Sequence, residues 1–152
     1  MDITKQIETL KIQRSNLLLQ LANLNNNELS IIPEGSNNNI LWNLGHILVI
    51  PQKYFYVVNG HTAHVSQYYI QHYMSGTRPT ATDIDKEYKT IKELLLSTST
   101  LLKDDYDKGM FNNFRAFGNL DFIETLEFLI KHEANHIAKI NQILNQLNKT
   151  KK

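Results

Sequence analysis

The sequence predicts an all-α protein, a four-helix bundle, on three observations. Apolar residues recur at three-, four- and seven-residue steps along four separate segments, Gly, Asn and Pro clusters break the pattern between them, and no alternating Val- and Thr-rich run bounded by turns occurs anywhere. At 152 residues the chain has the length of one domain, 1–152, and can bury a core without disulfides or a structural metal.

The first helix is expected over about residues 3–24, where Ile3, Ile7, Leu10, Leu17, Leu21 and Leu24 form one face and Asn25-Asn26-Asn27 ends it. Pro33 to Asn38 reads as a loop. Asn38 or Asn39 then caps a second helix running to Asn59-Gly60, with Trp42, His46 and Val49 on one line. Pro51 lies inside it and takes away the hydrogen bond to the Ile47 carbonyl, so a kink is expected there. From His61 to Pro79 the chain lacks periodicity and reads as a long connection, with a short helix near Gln67 to Met74. Thr82 is the expected cap of a third helix, whose stripe is Tyr88, Ile91, Leu95, Thr98 and Leu102 and whose end is near Lys103; Asp83, Asp85 and Glu87 suit the dipole of its first turn. Asp104 to Leu120 is a second long connection. Asp121 and Glu124 have the spacing of a capping box, opening a fourth helix over about 122–147 with the row Leu129, His132, His136, Ile140, Ile143 and Leu147. Simple up-down connectivity does not follow from these elements.

Composition excludes several classes of function. Sixteen Lys and Arg against fifteen Asp and Glu leave a net charge of +1, so nothing marks a nucleic-acid partner, and the Lys149 to Lys152 tail reads as a solvated terminus. A mean hydropathy of -0.37 and the lack of any long apolar run argue against a membrane protein, and with no signal-peptide core a cytoplasmic location is expected. Cysteine is absent, which leaves His, Asp and Glu as the reactive inventory and requires any thiol to come from outside.

His132 and His136 are four residues apart, so on a helix their imidazoles are neighbours able to bind one metal ion from the same side. The spacing is necessary, not sufficient. Their place on the inward row strengthens it, because buried imidazoles need something to accept their lone pairs. His46 occupies the matching row of the second helix; on its own it fits a core histidine bonded to backbone better than a ligand, but a neighbouring helix can present it to the other two. The string His132-Glu133-Ala134-Asn135-His136 also matches the H-E-x-x-H motif of zinc peptidases, in which the Glu is general base. That rival needs a third ligand downstream, yet residues 137–152 contain no His, Asp or Glu, and Lys139 stands where the longer motif has Gly. Glu133 is therefore expected behind the ligands or in solvent rather than as a base.

Asn39-Ile-Leu-Trp-Asn-Leu-Gly-His46, together with His132-Glu-x-x-His136, resembles the DinB/YfiT-like superfamily of metalloenzymes, and the resemblance covers essentially the whole chain. The Asn59-Gly60 helix end, the Tyr73-Met-Ser-Gly76-Thr stretch and the Phe111 to Gly118 loop stand in the order of that family. It implies a bundle with long crossover connections, a homodimer, and a nickel or zinc ion held by His46, His132 and His136 with water completing the shell. It implies, further, a transferase-like reaction in which a low-molecular-weight thiol is activated on a small-molecule substrate. The alternative is a metal-binding bundle without catalysis. The chain departs from the family's His-His-Arg-Gly-Gln ending, having Asn135-His136-Ile137-Ala138-Lys139, which keeps the ligands and puts roles of the Arg and Gln in doubt. His61, His64 and His72 match no family ligand and are expected at the surface.

Overall fold

A computed structural model describes residues 2–115 and 118–150. Six α-helices are present: α1 (Thr4–Leu21), α2 (Asn26–Ser30), α3 (Ile40–Pro51), α4 (Gln67–Tyr73), α5 (Ile84–Asp107) and α6 (Phe122–Thr150). A π-helical segment, Gln52–Val57, continues α3. Among the described residues there is no strand, and no helix is long and apolar enough to cross a membrane.

Four of these helices make the bundle. α1 packs on α5 and α6, and α3 packs on the same two, so α1 and α3 face each other across the core. α1 and α3, and likewise α5 and α6, therefore lie on the two diagonals, and the chain must cross the bundle end between the members of each pair. The fold is thus a crossover bundle, as expected. α3 is the central element: every residue from Ile40 to Ile50 is buried, which its almost unbroken apolar run requires.

The boundaries differ from the expectation in ways that local chemistry explains. The first helix stops at Leu21, and the triple Asn is not merely a breaker. Asn25 starts α2 with a capping box, its side chain accepting from the Glu28 backbone N–H while Glu28 accepts from the Asn25 N–H. Asn39, not Asn38, caps α3 by accepting from the Trp42 N–H at 2.7 Å. The lost N–H of Pro51 is followed by the wider π turn. Asp83, not Thr82, caps α5, accepting from the Lys86 N–H at 3.1 Å. α5 runs one turn past Lys103, to Asp107, before Gly109 adopts a φ of 84°. Asp121 accepts from the Glu124 N–H at 2.8 Å at the start of α6, as its spacing predicts. The expected short helix in the 61–79 connection is α4, and it packs on α3. The Phe111 to Gly118 loop and the Lys149 to Lys152 tail lie partly outside the described residues.

Candidate metal centre

The three histidines expected to converge do so. His46 comes from the middle of α3 and His132 and His136 from successive turns of α6, and one ring nitrogen of each lies within 4.8 Å of the others. Ring centroids are 4.5 Å apart for His46 and His136, 4.7 Å for His132 and His136, and 5.3 Å for His46 and His132. His46 and His136 are buried, and His132 is partly open to solvent.

Each buried ring is oriented by a second contact. His46 Nδ1 is 2.9 Å from the Tyr73 carbonyl, which can only accept, so Nδ1 carries the proton and the Nε2 lone pair faces its neighbours. His136 Nδ1 is 2.8 Å from Asn43 Oδ1. The Asn43 amide is fixed in turn because its NH2 donates to the Asn39 carbonyl at 2.8 Å, which leaves Oδ1 as the acceptor toward His136. His136 therefore also presents Nε2 as a lone pair. Trp42, one turn before His46, stacks on it at 4.7 Å with planes 11° apart and closes that side. Among the described residues none donates a hydrogen bond to Nε2 of any of the three rings. Two inward lone pairs without a donor, with a ring nitrogen of His132 beside them, suit a cation rather than a closed hydrogen-bond network.

Gly45 makes the His46 contact possible. A Cβ there would overlap three ring carbons of Tyr73. Tyr73 is itself tied to α5, its hydroxyl donating to Glu87, which also accepts from Tyr68. Gly45→Ala should therefore push Tyr73 away, costing about 1–3 kcal/mol of stability as overpacked cores do and loosening the Tyr73 carbonyl from His46. Urea denaturation and a metal titration of the variant check both parts. Asn43→Ala should keep all three ligands yet weaken metal binding by about 10- to 100-fold, the usual cost of removing a partner that orients a ligating His. Competition with a chromogenic chelator measures it.

Electrostatics favour neutral imidazoles. Burial pushes His136 down from 6.5 to about 3, helped by its two histidine neighbours and Lys139. His46 and His132 are lowered as well, both chiefly by burial. In the unfolded chain these groups titrate at their ordinary value, so between that value and their lowered ones the unfolded state binds more protons. The metal-free protein should lose stability as pH falls below 6.5, and the part owed to His136 should level off near 3. Melting temperatures of the chelator-treated protein across that range test the sign.

Glu133 is neither solvated nor available as a base: of the two places expected for it, behind the ligands or in solvent, it takes the buried one. Its carboxylate pairs with Arg14 of α1, with Oε1 2.9 Å from Nη2 and both partners 2% exposed. Arg14 Nε also donates to both Glu133 oxygens, and Nη1 donates to the Leu95 carbonyl and Thr98 Oγ1 of α5. A carboxylate held in this way cannot activate water at the histidines. Arg14 and Asn43 are the site-supporting residues that sequence reasoning missed.

The remaining histidines are not simply surface residues, though none joins the centre. His64 is half-buried with Nε2 2.8 Å from Asp105, which also accepts from Tyr56. His72 Nδ1 bonds the Tyr68 carbonyl at 2.7 Å, and His61 lies edge-on to Phe111. All three are too committed or too distant to supply a fourth ligand among the described residues.

Fold and site together define a crossover helical bundle with a buried three-histidine centre. Residues 9–140 match the family model of the DinB superfamily, and the chain belongs to that superfamily. No curated protein and no solved structure matches it.

Proposed function

We propose that this protein is a divalent-metal enzyme in which His46, His132 and His136 hold one nickel or zinc ion and a small thiol is activated for transfer to a small-molecule substrate. The observation that carries the metal is the convergence of three imidazole nitrogens from two helices within 4.8 Å. Imidazole suits both ions, and three protein ligands leave room for a further one, the pattern of a catalytic rather than a structural site. Such an ion would supply Lewis acidity, lowering the pKa of a coordinated thiol.

The residues of the chain do the rest. Tyr73 and Asn43 hold two of the rings in the ligating tautomer, Trp42 excludes water from one side, and the half-open His132 edge gives access from solvent. The thiol comes from the family resemblance, and the absence of cysteine requires it to be external. The resemblance also supports a homodimer, and sedimentation equilibrium tests it.

A metal-binding bundle without catalysis is the second reading, supported by the replacement of the family's Arg-Gly-Gln by Ile137-Ala138-Lys139. Cobalt-loaded protein separates the two. A sulfur-to-cobalt charge-transfer band on adding 2-mercaptoethanol is the result expected for thiol activation. A cobalt spectrum indifferent to every thiol favours the second reading.

A further inference from the structure

The three ligands of the centre carry no negative charge of their own. Three neutral imidazoles contribute nothing to balance a divalent ion, and the centre contains no carboxylate. The acid next to His132 in the chain, Glu133, is paired with Arg14 at 2.9 Å. One cation remains. Lys139 lies on α6 seven residues after His132 and three after His136, so it stands about 20° off the line of His132 and about 60° from His136 around the helix. Side chains on a helix lean toward its N-terminus, which carries the Lys139 stem back over the turn that holds His136. Lys139 is exposed and forms no ion pair among the described residues.

A cation beside a cation-binding centre opposes the metal and favours whatever negative group arrives with it. We propose that Lys139 is the counter-cation for an anionic substrate group taken at the three-histidine centre, so that the substrate class is a small molecule bearing a carboxylate or comparable anion. The inference rests on the metal reading above and not on the thiol. Lys139 acts on the substrate through charge, at the rim that the partly open His132 leaves accessible. It holds no proton that the reaction moves.

Opposite effects on metal and anion distinguish this role from a structural one. Cobalt affinity and acetate affinity of the cobalt-loaded protein are to be measured on the parent, Lys139→Gln and Lys139→Arg, both by visible absorption. Removing one positive charge at the edge of the site should tighten cobalt about threefold and weaken acetate about fivefold, the scale of a partly screened charge pair. Lys139→Arg should resemble the parent in both. A general disturbance of α6 would weaken both together, and that outcome, or acetate binding unchanged in Lys139→Gln, overturns the proposal. If the parent takes up no cobalt, the metal reading fails and this inference fails with it. If cobalt and acetate bind as described while 2-mercaptoethanol leaves the spectrum unchanged, only the thiol is lost.

Discussion

His46→Ala should abolish tight metal binding while leaving a helical protein that still melts cooperatively. Loss of one of three ligands removes more than the 10- to 100-fold that an orienting partner contributes, so affinity should fall by well over about 100-fold. The fold should survive because the core does not depend on the ion. Leu44, Ile47 and Leu48 of α3 pack with Leu17, Ile91, Leu95 and Ile140 of the other three bundle helices in one apolar cluster. The substitution still costs something, since the Tyr73 carbonyl loses its donor and Trp42 its stacking partner, together about 1–3 kcal/mol. In the parent, metal binds only the native state and should raise the melting temperature without creating the transition. Circular dichroism with and without chelator checks both statements; loss of cooperative melting in the metal-free parent would make the ion structural.

Arg14→Ala should be among the most destabilising single changes in the molecule. It leaves the Glu133 carboxylate 2% exposed without its partner, and it also unties the Leu95 carbonyl and Thr98 hydroxyl. Breaking a buried pair from one side typically costs about 3–5 kcal/mol. The double change Arg14→Met with Glu133→Leu, which removes both charges and keeps apolar volume, should recover most of that loss. Chemical denaturation of Arg14→Met, Glu133→Leu and the double variant gives the coupling directly. Glu133→Gln should lose stability for the same reason but retain the metal, because the carboxylate faces Arg14 and not the histidines. A Glu133→Gln variant that folds normally yet no longer binds metal would contradict that geometry.

Much of this could be read in the sequence, and the exceptions have physical causes. The inward row of α6 was legible because helical periodicity depends on local spacing alone, and Leu129, His136, Ile140 and Ile143 are buried as their positions require. Arg14 was not, because an isolated Arg on an amphipathic helix ordinarily reads as solvated. Its signal lay in the apolar row itself, where Leu10 and Leu17 leave a gap that position 14 fills. Asn43 was visible in the motif, but its bond to His136 spans 93 residues of sequence and is a property of the tertiary packing. α2 was hidden by three consecutive Asn, although Asn25 and Glu28 already had capping-box spacing. The π segment after Pro51 could be anticipated only as a kink, since the backbone chooses among several ways to absorb a missing N–H.

The claim on which the rest depends is that His46, His132 and His136 bind one divalent ion together. Titration of the chelator-treated protein with cobalt, followed by its visible absorption, tests this most directly. Saturation at one ion per chain, with nitrogen-dominated tetrahedral or five-coordinate bands that vanish in each of His46→Ala, His132→Ala and His136→Ala, is the predicted result. Absence of binding in the parent, or retention of the same bands in any one of the three variants, would contradict it.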